Sequence, residues 1–325
     1  MPDSVATTGA VVIGRNEGQR LLRCLASLTD LRGRLVYVDS ASTDGSRTAA
    51  RDLGAYVVML DMARPFTAAR ARAEGLARLE ELAPTLEYVL FVDGDCEVEV
   101  GWLEAATGFL GEHSDFAVAC GRRRERFPEA SRYNTLADRE WDTPIGEAAA
   151  CGGDAVMRAV ALREIGSFDP AMIAGEEPEL CRRLRAGGWR IMRLPVPMTI
   201  HDAAMTRFKQ WWLRAVRSGF GYAQAWHRTS DARGGQPLYG RELARAAAWA
   251  GALPVFALIL ALAVHPLLLL LWPALTGVQY LRMARRDGLD AAALTTIGKY
   301  AELTGALRYA FRALRGSAGG TIVYK

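Results

Sequence analysis

The chain has 325 residues, of which 50% are hydrophobic and 23% are charged, and its net charge is +4. This composition excludes a disordered chain, a collagen-like repeat and a small disulfide-stabilised scaffold. Residues 1–202 carry 24 basic and 31 acidic side chains, a balance of −7, whereas residues 203–325 carry 16 and 5, a balance of +11. We expect the acidic part to suit a metal or a cationic group, and the basic part to suit anionic lipid or phosphate.

Apolar segments and amphipathic segments alternate through the first hundred residues. The predicted strands lie at 10–14, 35–38, 55–60 and 88–92, and the predicted helices lie at 17–29, 43–53 and 66–82. Strands that alternate with helices indicate βαβ units and a mostly parallel sheet. Ligands of such sheets bind at the carboxyl ends of the strands, so the residues that follow each strand are the candidates for function.

The following segments predict a mixed region and then a helical one. Residues 114–202 predict strands at 116–121 and 189–194 and helices near 131–141, 158–165 and 177–187. Residues 226–240 are polar and rich in glycine, which is typical of a connector. Residues 290–325 form a basic amphipathic pattern, typical of a helix that lies on a membrane surface or packs under another domain.

Between Arg245 and Arg282 there are 36 residues without a charged side chain. A spanning helix needs roughly 20 apolar residues, so this segment is long enough for a membrane. Basic residues flank both of its ends, and the positive-inside rule then places both flanks in the cytoplasm. This favours a hairpin that turns at His265-Pro266 over a single span, and a buried helix pair in a soluble core is the alternative.

Cysteine usage and the first residues indicate a cytosolic setting. The chain has five cysteines, an odd number, and no pair has the CxxC spacing of a zinc or redox site: Cys24, Cys96, Cys120, Cys151 and Cys181. Reduced thiols are therefore expected. The opening MPDSVATT lacks the basic and apolar segments of a secretory signal, so we expect the first part of the chain to stay in the cytoplasm.

The sequence Asp93-Gly94-Asp95 follows directly on the predicted strand 88–92. Two carboxylates at positions i and i+2 can converge on one hard cation, and oxygen ligands suit Mg²⁺ or Mn²⁺ shared with the phosphates of a substrate. Such an ion would neutralise a diphosphate and help it to leave. An acidic turn is the alternative, and the next residues, Cys96-Glu97, do not match the haloacid dehalogenase pattern.

Two other acidic segments follow the same logic. Asp39 ends the second predicted strand and is placed to accept a hydrogen bond from a base or a ribose, whereas Asp44 precedes a helix and is predicted to be mainly a cap. Glutamates in the segment GEEPEL (175–180) begin an arginine-rich helix, where acids favour the helix dipole. Three glutamates exceed what capping needs, so one of them could act as a general base.

Six segments, in this order, resemble those of family 2 glycosyltransferases over about residues 1–202. They are VVIGRNEG at 11–18, VDSASTDGS at 38–46, ARAEG at 71–75, DGD at 93–95, IGSFD at 165–169 and GEEPEL at 175–180. One departure is Ala73, which stands where the family usually has Asn. The resemblance implies an α/β GT-A fold, Rossmann-like with a mostly parallel sheet, that binds a nucleotide sugar.

The resemblance also implies roles for individual residues. The predicted donor-binding residues are Arg15, Glu17, Asp39, Arg72 and Asp93, with Asp39 at the base and Arg72 at the nucleotide. The predicted ligands of Mg²⁺ or Mn²⁺ are Asp95, Asp93 and His201. Glu177 stands where the family has its catalytic Asp, and Glu176 remains a second candidate for the base.

The sequence therefore predicts four regions. They are a GT-A domain at 1–202, interfacial helices with a connector at 203–245, a membrane hairpin at 246–281 and a basic amphipathic region at 282–325. The predicted activity is inverting, metal-dependent transfer from a UDP- or GDP-sugar to a lipid-linked or envelope glycan. The predicted location is the cytoplasmic face of a bacterial inner membrane, with membrane lipid and no nucleic acid as partners.

Two alternatives stay open at the level of sequence. The acceptor could be polyprenyl phosphate, which the hairpin and the basic run at Arg122, Arg123, Arg124 and Arg126 permit, although a solvated face also explains that run. The chain could instead bind nucleotide sugars at the membrane without catalysis, which the departures at Ala73 and Glu177 permit.

Overall fold

The computed structural model describes residues 5–230 and 236–316, which form two compact units. The first unit contains residues 5–130 and 137–204, and the second contains residues 131–136, 205–230 and 236–316. Each unit buries its own apolar side chains, among them Val11 in the first and Phe220 in the second.

The first unit is built on one sheet of nine strands. They are β1 (Thr8–Gly14), β2 (Leu35–Asp39), β3 (Tyr56–Met59), β4 (Tyr88–Asp93), β5 (Cys96–Val98), β6 (Phe116–Glu125), β7 (Gly146–Glu147), β8 (Ala155–Arg158) and β9 (Arg190–His201). The order is β3-β2-β1-β4-β8-β6-β9-β5, with β7 paired to β9.

The first four strands in that order are parallel, so their carboxyl ends meet at one edge of the sheet. β8 runs antiparallel to β4 and β6, β9 is parallel to β6, and the short strands β5 and β7 pair antiparallel with β9. The α/β class predicted from the alternation of strands and helices is confirmed, with antiparallel pairing added from β8 onward.

Helices cover this sheet and form the second unit. They are α1 (Gln19–Ala26), α2 (Ser46–Asp52), α3 (Ala68–Leu82), α4 (Trp102–Glu112), α5 (Arg132–Glu140), α6 (Ala159–Ile165), α7 (Glu176–Ala186), α8 (Phe208–Ser230), α9 (Gly240–Ala246), α10 (Leu253–Ala263), α11 (Leu271–Asp287) and α12 (Leu289–Leu314). A π-helical turn, Ala247–Ala252, joins α9 to α10.

Two strands are longer than the sequence pattern predicts. β6 continues from residue 121 to Glu125, and β9 continues from residue 194 to His201 through Pro195 and Pro197. A proline or a run of charged residues usually ends a predicted strand, but both can occur in strands that pair irregularly. The β6–β9 ladder has register shifts on both sides of Arg122, and these accommodate the extra length.

The predicted connector and the predicted tail helix also differ from the structure. Helix α8 runs to Ser230, so residues 226–230 are helical, and residues 231–235 of the predicted connector lie outside the described residues. The tail prediction corresponds to α12, which packs lengthwise against α8 within the second unit. Residues 317–325 of that prediction lie outside the described part of the chain.

The uncharged segment forms two helices that are long and apolar enough to cross a membrane, at Gly240–Ala263 and Pro266–Asp287. Core helices of soluble proteins pass the same test of length and composition, but they are mostly buried. Here only 11% and 0% of the most apolar windows are buried. Leu262, Val264 and Leu267 around the turn are 81%, 70% and 66% exposed.

Two glycines let α8 and α12 touch backbone to backbone. A Cβ atom at Gly219 would lie 2.0 Å from the carbonyl oxygen of Glu302, and one at Gly305 would lie 1.9 Å from that of Val216. Because no heavy atom fits at these distances, only glycine permits the approach of the two helices. Phe220 and Tyr309 pack edge to face beside this contact, with ring centroids 5.2 Å apart.

The substitution Gly305→Ala is expected to destabilise the second unit, because the new methyl group would collide with the backbone of α8. Overpacking lowers the free energy of unfolding by about 1–3 kcal/mol. A clash that no side-chain rotation relieves is expected at the upper end of this range. The melting temperature in detergent should fall by about 5 °C or more. Gly277→Ala is the control, since a Cβ there meets nothing within 4 Å. Equal melting temperatures for the two variants would contradict the helix contact.

Candidate active site

The carboxyl end of β4 carries an ion-paired group of three side chains. Arg72 of α3 donates through Nη2 to Asp93 Oδ1 at 2.8 Å and through Nη1 to Glu176 Oε1 at 2.6 Å. The Arg72 side chain is 3% exposed, and its Nε has no hydrogen-bond partner among the described residues. Burial lowers the pKa of Arg72, but the charges of Asp93 and Glu176 outweigh that effect and raise it. The guanidinium is therefore a fixed positive charge at the edge of the sheet.

A second arginine, 13% exposed, supports the same aspartate from the antiparallel side. Arg123 of β6 lies 3.6 Å from Asp93 Oδ2 and pairs with Asp154 at 2.7 Å. Asp154 is fully buried and also accepts hydrogen bonds from the Thr199 hydroxyl at 2.7 Å and the Asp93 amide at 3.1 Å. Burial raises the pKa of Asp154, but Arg123 and Thr199 outweigh it and hold the pKa below its usual value.

Gly153 creates the space in which these charged groups converge. A Cβ atom at this position would lie 3.0 Å from Arg123 Nη2, 3.2 Å from Asp93 Oδ2 and 3.4 Å from Arg72 Nη2. Any side chain here would push the three groups apart. The backbone at Gly153 therefore forms the floor of the site.

Asp95 faces a histidine from β9. His201 Nε2 lies 3.4 Å from Asp95 Oδ1, and the two side chains are 13% and 12% exposed. On the other side of the ring, Nδ1 lies 3.4 Å from an oxygen of the buried carboxylate of Glu125. A carboxylate at Nδ1 fixes the orientation of a metal-binding histidine and leaves Nε2 as the nitrogen that can bind the metal ion.

This pair fits a divalent cation. Adjacent ligands of an octahedral ion lie about 3 Å apart, because each is about 2.1 Å from the ion. The separation of 3.4 Å between Nε2 and Oδ1 is close to that value. A carboxylate and an imidazole suit Mn²⁺, and further positions would remain for phosphate oxygens. Asp93 is less suited as a ligand, since Arg72 and Arg123 already neutralise it.

Hydrogen bonds order the loop after β2. Asp39 is 1% exposed, and its carboxylate accepts from the Ser42 amide at 3.0 Å and from the Tyr37 hydroxyl at 3.2 Å. Asp44 accepts from the Ser46 amide and hydroxyl and from the Gly18 amide. Burial raises the pKa of Asp44, but these hydrogen bonds outweigh it and lower the pKa.

The opening loop after β1 lies against these groups. Arg15 stacks over the ring of Phe66, with its guanidinium carbon 4.9 Å from the centroid. Glu17 pairs with Arg20 at 2.7 Å, and a Cβ atom at Gly94 would lie 3.5 Å from Glu17 Cγ. Glu17 therefore lies beside the turn between Asp93 and Asp95.

The two glutamates at the start of α7 have different surroundings. Glu176 belongs to the Arg72 group, whereas Glu177 is 7% exposed and accepts through Oε1 from the Cys151 amide at 2.5 Å. The Cys181 thiol donates to the same oxygen at 3.0 Å. Burial raises the pKa of Glu177 above its ordinary value, and the hydrogen bonds from the two cysteines oppose that effect.

Comparison with known proteins identifies the domain that carries this geometry. Residues 10–166 match the family model described as glycosyl transferase family 2. These residues form a family 2 glycosyltransferase domain. The family that the six sequence segments resemble is thereby confirmed.

Curated relatives of the family 2 domain carry glycosyltransferase or polysaccharide-biosynthesis names. The pre-mycofactocin glycosyltransferase of Mycobacterium tuberculosis is 30% identical over 227 residues, which cover 64% of this chain and 45% of that protein. The succinoglycan biosynthesis protein ExoA of Rhizobium meliloti is 29% identical over 173 residues, which cover 51% of this chain and 52% of that protein. The chain thus spans about half the length of these relatives.

Solved structures share the fold of the family 2 domain. A mannosyltransferase of Pyrobaculum calidifontis, in complex with GDP-Man and Mn²⁺, aligns with a TM-score of 0.54 at 20% identity and covers 96% of this chain and 86% of that chain. Glucosyl-3-phosphoglycerate synthase of Mycobacterium tuberculosis aligns with a TM-score of 0.51 at 20% identity, over 71% and 84% of the two chains. These similarities confirm the predicted GT-A fold.

Within the first unit, the structure joins most of the residues that the sequence singled out. Arg72, Asp93 and Glu176 form one group, and Asp95 and His201 form another. Glu177 begins the same helix as Glu176 but bonds to cysteines instead. The donor, metal and base roles of these residues remain predictions.

Three side chains of the site were not predicted from the sequence. Asp154 and Glu125 are buried carboxylates, and Arg123 was considered only as part of a basic run. The one available signal for Asp154 is the glycine pair at 152–153, which directly precedes it and marks a close backbone approach. The whole basic run is ion-paired: Arg122 with Asp138, Arg123 with Asp154, Arg124 with Glu99 and Arg126 with Glu97.

Proposed function

We propose that the chain is an inverting, metal-dependent glycosyltransferase that moves a sugar from a nucleotide-diphosphate sugar to a lipid-linked or envelope glycan. The observation that carries the proposal is the convergence of Asp39, Arg72, Asp93 and Asp95 at the carboxyl edge of parallel strands. Such an edge is where open α/β sheets bind their ligands.

The spacing of the two acidic segments supports a nucleotide sugar as donor. β1 lies between β2 and β4, and Asp39 pairs with Gly14 while Asp93 pairs with Ile13. Adjacent strands are about 4.8 Å apart, so the ends of β2 and β4 are about 10 Å apart. That span allows Asp39 to contact the base or ribose while Arg72 and Asp93 lie near the diphosphate.

Asp95 and His201 would hold the divalent ion, Mg²⁺ or Mn²⁺. When bound, this ion neutralises charge on the diphosphate and lowers the cost of its departure. The mannosyltransferase of Pyrobaculum calidifontis, which shares the fold, was solved with GDP-Man and Mn²⁺. We therefore propose a UDP- or GDP-sugar as donor, with Arg72 as a fixed cation beside the leaving group.

Glu177 is the proposed general base, with Glu176 as the second candidate. An acceptor hydroxyl would give its proton to Glu177 while its oxygen attacks the anomeric carbon. The bond from that carbon to the diphosphate breaks, the electron pair leaves with the diphosphate, and the configuration inverts. A buried carboxylate with a raised pKa suits proton transfer near neutral pH. Glu176 is less suited, because Arg72 neutralises it.

The second unit supports an acceptor at a membrane. Its two apolar helices are exposed, and arginines flank them at Arg241, Arg245, Arg282, Arg285 and Arg286. The positive-inside rule then gives a hairpin with both flanks at the cytoplasmic face of a bacterial inner membrane. The relative ExoA is named for succinoglycan biosynthesis, which favours a glycan acceptor. The arginines of the basic run at 122–126 are already ion-paired with carboxylates. Polyprenyl phosphate is therefore less favoured than a glycan as the acceptor.

The first test is calorimetric binding of UDP and GDP to the detergent-solubilised chain, with Mn²⁺ and with EDTA. One nucleotide should bind only with Mn²⁺, and Asp95→Asn should weaken that binding by about tenfold or more, because it removes a charged ligand. Asp115→Asn is the control, since that carboxylate is exposed and pairs with Arg190. The absence of metal-dependent binding in the folded chain would overturn the proposed donor site.

The base assignment predicts a separation of turnover from binding. Glu177→Gln should lower kcat by about 10²–10⁴-fold, the usual contribution of a general base, and leave the donor Kd nearly unchanged. Release of the nucleoside diphosphate from GDP-mannose or UDP-glucose, with water as acceptor, measures this. Glu176→Gln should instead weaken donor binding, because Arg72 loses a partner. The reverse pattern would transfer the assignment to Glu176.

The membrane hairpin predicts resistance to alkaline carbonate extraction. The full chain should stay in the membrane pellet, and the double variant Ile259→Arg/Val278→Arg should shift to the supernatant. Each arginine at the centre of a span costs about 3 kcal/mol of insertion free energy. Leu314→Arg is the control, because that leucine is 87% exposed but lies on α12. Release of the unmodified chain by carbonate would contradict the hairpin.

A further inference from the structure

Two cysteine thiols lie behind the proposed base. Cys181 is one helical turn after Glu177 in α7, and Cys151 lies in the segment before β8. All three residues are buried, with Glu177 7% exposed, Cys151 8% and Cys181 0%. The two sulfur atoms are 3.7 Å apart. A carboxylate and two thiols thus form one cluster with little access to water.

One oxygen of Glu177 accepts two hydrogen bonds in this cluster. The Cys151 amide donates to Oε1 at 2.5 Å, and the Cys181 thiol donates to the same atom at 3.0 Å. The other oxygen, Oε2, takes no part in either bond. The carboxylate is therefore held through Oε1.

No cation pairs with Glu177 in the described part of the chain, which distinguishes it from Glu176. The groups that face it are Glu176 on its own helix, the two thiols, and Cys120 of β6. Arg72 is bound to Glu176, the neighbouring glutamate. Hydrogen bonds from the cysteines are therefore the interactions that stabilise the ionised form of Glu177 against burial.

The Cys181 thiol is suited to act as a hydrogen-bond donor. Burial raises the pKa of Cys181 to about 11, so the sulfur keeps its proton at neutral pH. The pKa of Cys151 is also raised, first by its hydrogen bond with Cys181 and then by burial. A thiolate beside Glu177 would repel it, whereas a thiol donates to it. The pair of buried cysteines thus favours a charged carboxylate and neutral sulfur atoms.

We propose that Cys181 is a positioning residue for the reaction, whose thiol orients the carboxylate of Glu177 through Oε1 and favours its ionised form. This inference rests on the proposed role of Glu177 as the base. Cys151 contributes its backbone amide to the same oxygen, and its thiol contacts that of Cys181.

The test compares Cys181→Ala with Cys181→Ser in release of the nucleoside diphosphate from GDP-mannose or UDP-glucose. Loss of a donor raises the pKa of Glu177, so the acidic limb of the kcat profile should move to higher pH by about one unit in Cys181→Ala. On that limb kcat should fall about tenfold, with an unchanged KM for the donor. Cys181→Ser restores a donor and should restore the profile.

Cys120→Ala is the matched control, because it removes a neighbouring buried thiol that donates to the Met192 carbonyl at 3.5 Å and not to Glu177. It should leave the profile unchanged. A wild-type profile in folded Cys181→Ala, or equal impairment in Cys181→Ser, would overturn the proposal. Melting temperatures establish that each variant is folded.

Glu177→Gln separates a failure of this inference from a failure of the proposed base. If Glu177→Gln retains turnover, the base assignment fails and the thiol has no catalytic carboxylate to orient. If Glu177→Gln is inactive but Cys181→Ala behaves as wild type, only the role of the thiol fails.

The infrared S–H stretch gives a readout without turnover. The S–H band of Cys181 is identified as the one that disappears in Cys181→Ser. Its frequency should lie below that of a free thiol and should rise in Glu177→Gln. A band at the free-thiol frequency would contradict the hydrogen bond.

Discussion

Ion pairing of carboxylates with two arginines is the interaction on which the candidate site depends. Arg72 and Arg123 lie against different oxygens of Asp93, and Arg123 also pairs with the fully buried Asp154. An unpaired charge at Asp154 would cost several kcal/mol, so this carboxylate requires Arg123. As a result the first aspartate of the Asp-Gly-Asp turn is fixed in place, and the second, Asp95, is left to face His201.

The predictable part of the site is the part that local patterns control. Parallel strands place the residues after each strand at one edge, so Asp39, Asp93 and Asp95 could be grouped from the sequence. Asp154 and Glu125 could not, because their partners arrive through antiparallel β8 and through a β6–β9 ladder with register shifts. Register between distant strands leaves no periodic signal, and Pro195 and Pro197 in β9 further hide the strand that carries His201.

The second unit uses its helices in two opposite ways. α8 and α12 meet so closely that glycine is required at Gly219 and Gly305, whereas α10 and α11 leave most of their apolar side chains exposed. The uncharged apolar run distinguishes α10 and α11 in the sequence, whereas the close contact of α8 and α12 is visible only in the structure. The glycines of α8 and α12 allow the close contact of these two helices. The leucines around the turn form an exposed apolar surface, which is unfavourable in water.

The candidate metal ligands lie at the ends of two strands that share a ladder: Asp95 directly precedes β5, and His201 ends β9. Cys96, the neighbour of Asp95, is the register partner of His201 in the β5–β9 pair, and the Asp202 amide donates to the Asp95 carbonyl at 3.0 Å. The spacing of the two ligands is therefore set by backbone register, and a slip of one residue would turn the histidine to the opposite face. An ion that binds here orders few additional residues, so little conformational entropy is lost on binding. The selectivity of such a site depends on how well a given ion matches a spacing that the sheet has already fixed.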